Sequence, residues 1–390
     1  MICLKVLIAY LYPLQLNMTV TEVKDKESAK EFISFPRTLY KNDSNFISPL
    51  DKDIEAIFNP KRNNYFTHGS CTRWIIKNKK GELTGRIAAF INHHKNKNPD
   101  FITGGVGFFE SINDKETAFR LFDTAKNWLK NNNCKAMEGP INFGENDKYW
   151  GLLVEGFVRP SMGMNYNPPY YQTFFEDYGF TKEYDQFTNI IYVSNPFPER
   201  FNKIAEWIAN KPDYKFIHFE KNNFEKFAKD FQEIYNDAWS DFENFAPIEY
   251  ETIRQSFREM KPIVDEKIIW FAYHNNEPIG FVIALPDINV LLKPLNGKFS
   301  LINKLRFLWL KKITTIDRIR FIVMGCKKKF QNKGIESGMI KKLLVEVLPR
   351  NTIKEAELAW VGDFNKKMIA IHEATGAQKE KVHRTYKYTF

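Results

Sequence analysis

The order of elements written into this chain occurs twice, and that repeat limits the fold more than any single motif does. In the first half, WIIKNKKGELTGRIAAFIN reads as a hairpin, with strands around Arg73–Lys77 and Gly85–Ile91 and a turn at Asn78–Gly81. A glycine-rich strand (Thr103–Ser111) follows. Next comes a helix with Ala118, Leu121, Phe122, Ala125 and Leu129 on one face. A strand ending in GPINF, a helix closed by Gly179 and a strand over Phe187–Val193 complete the unit. The second half begins with helices, then gives a hairpin (IIWFAYHNNEPIGFVIAL), the strand RIRFIVMGC and the helix GIESGMIKKLLVEVL. The strand EAELAW, the helix KKMIAIHEAT and the closing strand VHRTYKYTF end the chain. The prolines of Asn195–Arg200 interrupt the pattern between the halves. A chain of 390 residues is also long for one core. The expected fold class is α/β in the broad sense (an α+β mixed sheet), as two tandem domains over 18–194 and 195–390. Each is a mixed, mostly antiparallel sheet flanked by helices.

The four cysteines (Cys3, Cys71, Cys134, Cys326) form no CxxC pair, which argues against a disulfide framework or a zinc site. The protein is therefore expected in a reducing cytoplasm, with no metal. Charge is uneven: from Leu291 to Phe390 there are 22 Lys and Arg against 8 acids, a net +14, so the other 290 residues carry −4. The basic excess points to anionic partners for the last hundred residues. No DNA- or RNA-binding signature accompanies it, and no nucleic-acid partner is expected. No uncharged apolar stretch reaches the roughly 18 to 20 residues that span a bilayer. Residues 1–17 hold an apolar run without a cleavage site and are expected to be a leader, or to precede a true start at Met18.

The strand RIRFIVMGC runs through KKKFQNKGIE into a helix. That order exposes free backbone N–H groups and the positive end of a helix dipole. Gly334 leaves room for close approach, and Lys327, Lys328, Lys329 and Lys333 surround the loop. The product is a pyrophosphate cradle.

Here the sequence resembles the GNAT superfamily of CoA-dependent acyltransferases, whose signature at this junction is Gln/Arg-x-x-Gly-x-Gly/Ala. Gln331 and Gly334 match it, and Glu336 replaces the small third residue with a negative charge. After the strand LAWVGDF, Asn365 matches the family Asn. Gly376 lies eleven residues on and is followed by Ala377, not by the family's Phe. Where the family often carries a catalytic Tyr, this chain has His372. It reads either as a general acid or base or as a helix histidine with no role. The resemblance implies tandem GNAT-like domains with acyl-CoA as co-substrate in the second alone, since the first half has no Gln-x-x-Gly loop. It implies that Ile322–Cys326, Met324 and Cys326 among them, pairs with the pantetheine arm, and that the next strand splays away. Gln331, Lys333, Gly334 and Ile335 would hold the phosphates. By analogy with duplicated GNAT folds such as N-myristoyltransferases and Fem-type aminoacyltransferases, the first half would wall the acceptor. Glu155 then reads either as a base for an amine or as an ordinary loop carboxylate.

An insert over 286–318 separates the second hairpin from the phosphate-loop strand. In it Leu301, Ile302, Leu305, Leu308 and Trp309 share a helical face flanked by Lys304, Arg306, Lys311 and Lys312. That is the pattern of an interfacial helix, so Ser300–Lys312 is a candidate contact with an anionic membrane surface. A lid packed on the domain is the other reading. The insert resembles that of a bacterial double-GNAT family with ceramide-synthase-like relatives. The expected activity is transfer of an acyl group, long-chain by this resemblance, from acyl-CoA to an amine such as a sphingoid base. The expected location is cytoplasmic, peripheral on the inner membrane face. A small-molecule or peptide N-acetyltransferase and a non-catalytic lipid- or partner-binding GNAT remain open.

Overall fold

The computed structural model describes residues 18–96, 98–241, 247–261 and 263–390; the expected leader at 1–17 lies outside the described residues. The strands are β1 (Thr19–Glu22), β2 (Gly69–Lys77), β3 (Leu83–Asn92), β4 (Ile102–Ser111), β5 (Cys134–Gly139), β6 (Leu152–Glu155), β7 (Thr181–Tyr192), β8 (Tyr214–His218), β9 (Ile269–His274), β10 (Glu277–Pro286), β11 (Arg318–Cys326), β12 (Glu355–Glu357), β13 (Val361–Gly362) and β14 (Gln378–Thr389). The helices are α1 (Lys26–Leu39), α2 (Asp51–Ile57), α3 (Lys115–Asn131), α4 (Tyr170–Tyr178), α5 (Glu199–Ala209), α6 (Phe224–Trp239), α7 (Tyr250–Met260), α8 (Leu301–Ile313), α9 (Ile335–Val347) and α10 (Lys366–Ala374). Among the described residues, no helix is long and apolar enough to cross a membrane.

Two compact units result. The first holds residues up to Asp185 together with 292–306 and 383–390, and the second holds 186–291 and 307–382. The sequence boundary at 194/195 and the assignment of the insert and closing strand to the second half therefore differ from this partition. The closing strand joins the first unit because Tyr386–Thr389 pairs antiparallel with Gly139–Ala136, covering the edge that β5 would otherwise expose. Tyr386 is buried in that unit's core. The first part of the insert is fixed there too. Asp51 N–H donates to Gly297 O (2.8 Å), and Arg37 Nη1 donates to Asn296 O (3.2 Å). Gly297 has φ +77, and a Cβ on it would meet Arg37 Nη1 at 2.3 Å.

The first unit's sheet runs β1-β2-β3-β4-β5 and ends on the C-terminal part of β14. Its strands alternate antiparallel except for the parallel pair β4–β5. α3 packs on one face because its apolar residues recur at helical spacing, and all five expected positions are fully buried. Each of its large ones contributes about 1.5–3 kcal/mol relative to exposure. The second unit's sheet runs β7-β12-β11-β10-β9-β8, with β11–β12 parallel and the other printed pairs antiparallel. Two apolar clusters flank it. One takes Ile335, Met339 and Leu343 of α9 with Ile208 of α5, and the other takes Phe227, Phe231 and Ile234 of α6 with Ile253 and Phe257 of α7.

Candidate functional site

β11 is the strand on which the site is built. Its pairing with β12 covers only Arg318↔Glu355, Ile319↔Ala356 and Arg320↔Glu357. Its pairing with β10 continues to Gly280↔Cys326. From Phe321 to Cys326 one edge of β11 is therefore released, because the chain after Glu357 leaves β11 while still following β7 through Val361↔Phe187. The split begins beside a bulge, since Ile283 pairs with Val323 and Ala284 with Phe321, leaving Ile322 as the extra residue. Strand edges opened in this way offer backbone N–H and C=O groups to an extended ligand arm.

Beyond the released edge the loop turns into α9. Asn332 and Gly334 both have positive φ (61° and 81°). A Cβ on Gly334 would stand 2.6 Å from Ile204 Cγ2, so the glycine is required by the backbone and by α5 together. No side chain caps α9. Its first N–H groups face a groove with about 1660 Å³ of empty space, open to solvent and lined by Arg200, Lys203, Lys211, Lys333 and Lys367. Trp207 stands exposed in the same groove, with Lys211 Nζ 3.5 Å from its ring centre. Five cations around free helix-terminal N–H groups suit a phosphorylated ligand, and an exposed indole suits a flat heterocycle.

The sequence-named residues fall as follows. Gln331 ties the loop: its Nε2 donates to Cys326 O (3.1 Å), and Lys367 Nζ donates to its Oε1 (2.5 Å). Lys333 lines the groove. Ile335 is wholly buried, its side chain in the core between α9 and the sheet. Met324 is half-buried on the released edge. Cys326 is buried, and burial pushes its thiol well up, so it stays protonated. Lys327 is not a phosphate ligand. It is buried and ion-paired to Glu233 (2.5 Å) and Glu277 (2.8 Å), and Lys328 pairs with Asp241. The groove cations that the sequence reading passed over, Arg200, Lys203 and Lys211, had a signal: with Trp207 they recur at helical spacing along and just beyond α5.

Asn365 caps α10, its Oδ1 accepting from Met368 N–H (3.1 Å), and so fixes the helix that carries His372. His372 is buried. The Asn189 amide donates to its Nδ1 (2.9 Å), placing the ring proton on Nε2. Burial lowers its pKa to about 4, so the imidazole is neutral at neutral pH. Glu155 is exposed at the end of β6 in the first unit, whereas His372 and Asn365 belong to the second.

The first unit has the same element order and an opposite outcome. After Gly105↔Glu138 its parallel pair also parts, but the chain fills the gap itself. Ile141 N–H donates to Val106 O (2.8 Å), and a Cβ on Gly107 would meet Ile141 O at 1.9 Å. The following helix is capped by its own acid, Asp114 Oδ2 accepting from Thr117 N–H (2.8 Å). Neither an open edge nor a free helix terminus is left there.

No family model matches the chain. It is similar to a protein of Caulobacter vibrioides named "Bacterial ceramide synthase", 28% identical over 380 residues, 95% of this chain and 97% of the relative. It is also similar to "Protein YghO" of Escherichia coli, 29% identical over 373 residues, 93% of each chain. Among solved structures it overlays on a tandem GNAT protein from the clavulanic acid biosynthesis pathway with TM-score 0.54 and 10% identity, covering 95% of this chain and 98% of that one. The chain has a tandem GNAT fold. Within that tandem GNAT fold both units part their parallel strands, and among the described residues the second leaves the gap unfilled and the following helix uncapped.

Glu336 stands at the third position of the loop signature, where a small residue is expected. It lies in the first turn of α9, and burial raises its carboxyl, with its own N–H and Lys367 pulling it back. A carboxylate there would compete with a phosphate for the same N–H groups. Glu336→Gly should tighten CoA binding by on the order of tenfold at low salt, shrinking as salt rises. Calorimetric titration with CoA checks this, and unchanged affinity would remove Glu336 from the site.

Proposed function

We propose that this chain is an N-acyltransferase that moves an acyl group, long-chain in its best reading, from acyl-CoA to an amine. The observation that carries the proposal is the released edge of β11 above the uncapped N-terminus of α9, in the second unit alone. The pantetheine arm pairs along Ile322–Cys326, with the thioester near Met324. Gln331, Lys333, Gly334 and Ile335 hold the pyrophosphate, the last two through backbone N–H groups. The adenine lies against Trp207. The neutral amine attacks the thioester carbon, a C–N bond forms, and the C–S bond breaks with release of the CoA thiolate. The amine's proton passes to a base, Glu155 or water, because His372 has its Nδ1 occupied by Asn189 and its Nε2 already protonated. His372 shares a unit with β11, and its Nε2–H is suited to donate to the departing thiolate. Backbone N–H groups on the released edge stabilise the oxyanion. Asn365 acts by holding α10.

The name of the Caulobacter relative supports a sphingoid base as acceptor, because a ceramide is an N-acylated sphingoid base. An acyl-CoA series from acetyl to palmitoyl, read by thermal shift and direct titration, tests the donor. Preference for long chains is the expected result. Preference for acetyl would move the acceptor to small polar amines, and binding of none would leave a non-catalytic GNAT, the reading that Glu336 favours.

The same proposal includes an anionic membrane surface as partner of Ser300–Lys312. No residue of α8 is buried. Leu301, Ile302, Leu305, Leu308, Trp309 and Ile313 are all more than half exposed on its outer side. Lys304 and Lys311 flank that stripe on one side and Arg306 on the other, by the roughly 100° per residue of a helix. From Leu291 to Lys333 there are 12 basic residues and one acid. Leu305→Glu with Leu308→Glu should abolish sedimentation with phosphatidylglycerol vesicles and leave CoA titration unchanged. Sedimentation equal to wild type would overturn the membrane contact.

A further inference from the structure

The first unit contains a second polar centre that the transfer reading does not use. Tyr40 Oη donates to Glu110 Oε2 (2.6 Å), and Tyr171 Oη lies 3.0 Å from the same oxygen. Oε1 has one long contact, 3.4 Å to Arg86 Nη2. Glu110, Arg86, Tyr40 and Tyr171 are all buried. A carboxylate offers about four lone-pair positions, so Oε1 keeps acceptor capacity to spare.

This carboxylate lines a small cavity of about 80 Å³ that opens to solvent. Apart from Asn165 and Asn167, whose amides donate to Gly151 O and Leu153 O, the remaining wall is apolar or aromatic, including Phe46, Phe108, Tyr149, Met164 and Tyr166. The Tyr149 hydroxyl has no hydrogen-bond partner among the described residues. The backbone beside the cavity is built for this arrangement. β4 bulges at Phe108 and Phe109, and the shift sets Glu110 opposite Arg86. Phe108 sits at φ +50, a left-handed conformation that a bulky residue adopts only when its surroundings enforce it. Arg86 is the one cation among the lining residues and Glu110 the one anion. Tyr166 then adds a second carboxylate behind the wall, its Oη donating to Asp43 Oδ2 (2.7 Å). Arg86 and Glu110 offset each other and Arg86 Nε keeps a donor without a partner among the described residues, so the preference for a cation comes from the spare Oε1 position, Asp43 behind the wall and the ring faces.

We infer that this cavity binds the ammonium head of an aliphatic amine, with Glu110 Oε1 accepting from the ammonium and the apolar wall taking the first carbons of its chain. The inference goes beyond the transfer reading and rests on it only for the ligand's role as acceptor. Burial raises the Glu110 carboxyl, and Arg86 and the two tyrosines pull it back. An incoming ammonium would favour the ionised form further.

The test is calorimetric titration of the full chain with dodecylamine below its micelle concentration. N-dodecylacetamide and dodecanoate serve as controls. The Leu305→Glu, Leu308→Glu chain serves as a background in which adsorption to α8 is removed. The expected result is dodecylamine binding on both backgrounds, at least about tenfold tighter than either control, and about 10- to 100-fold weaker in Glu110→Gln, the worth of a charge-assisted hydrogen bond. Met164→Trp fills the cavity from a half-buried position and should block binding even where Glu110→Gln fails to fold. Binding of dodecanoate as tight as dodecylamine, or wild-type affinity in folded Glu110→Gln or Met164→Trp, overturns the inference. A chain that acylates amines yet shows that indifference sinks this inference alone. One that binds dodecylamine here and never transfers an acyl group sinks the transfer reading alone.

Discussion

Lys381→Met should destabilise the second unit by about 3 kcal/mol, the cost of leaving a buried charge without its partner. Glu357 is wholly buried and Lys381 nearly so, with Nζ 2.8 Å from Oε2. Arg320 and Arg318 approach the same carboxylate at 3.3 and 3.5 Å, and Arg318 also meets Glu355 and Glu380. Three cations thus face three acids across β11, β12 and β14, and removing one cation leaves an unbalanced negative charge in a dry setting. Taking both members out, as Lys381→Met with Glu357→Leu, should recover most of the loss, because apolar replacement of a whole buried pair is often neutral. Urea unfolding of the two single variants and the double variant gives the coupling directly. A loss under about 1 kcal/mol in Lys381→Met would show that the arginines satisfy Glu357 without it. The network also sets an acid limit. Lys381, then Arg320 and Arg318, outweigh the burial penalty and hold the Glu357 pKa at about 2. Its folded pKa is depressed, so its contribution is complete above the unfolded value of about 4.3 and is lost as pH falls from there to about 2.

How much of this was legible in the sequence depends on the range of the interactions. The α3 face was readable because five residues at helical spacing report burial within one element. The turn from β11 into α9 was readable because a loop between a strand and a helix has one local geometry, and Gln331 and Gly334 mark it. The role of Lys327 was not readable. Its partners Glu233 and Glu277 lie 94 and 50 positions away, and four lysines in seven residues look alike until the fold pairs two of them. The closing strand was read as a strand, correctly, yet its last residues pair with β5 of the first unit. Alternating aromatic residues at 386 and 388 say that one face is buried but not in which unit. The Glu110 centre escaped for the same reason. Tyr40, Arg86, Glu110 and Tyr171 come from four elements, and only the bulge in β4 sets Glu110 opposite Arg86. His372 was readable as a position; its neutral state was not, because that follows from burial and from Asn189, 183 positions away.

Gly334→Val should end acyl-CoA binding, with an affinity loss of about 100-fold or more, near 2.7 kcal/mol. Two independent demands meet at this residue. Its φ of +81 costs an L-amino acid about 1–2 kcal/mol, and more when the side chain branches at Cβ. Its Cβ would also stand 2.6 Å from Ile204 Cγ2. The chain relieves both by turning residue 334 back to negative φ or by lifting α5 away from α9. The first re-aims the free N–H groups of α9. The second moves Arg200 and Lys203, which lie on α5 and line the groove. Either change removes the set of N–H groups and cations on which the proposed phosphate binding rests. The two causes separate in a series. Gly334→Asn tolerates the left-handed backbone but keeps the clash, and adding Ile204→Ala removes the clash. If both demands act, Gly334→Asn with Ile204→Ala binds CoA better than Gly334→Asn alone, and Gly334→Val with Ile204→Ala stays weak. Titration with CoA reads the series, and urea unfolding confirms that each variant is folded. Binding within a few-fold of wild type in folded Gly334→Val would mean that CoA does not sit on the N-terminus of α9, and the released edge of β11 would need another ligand.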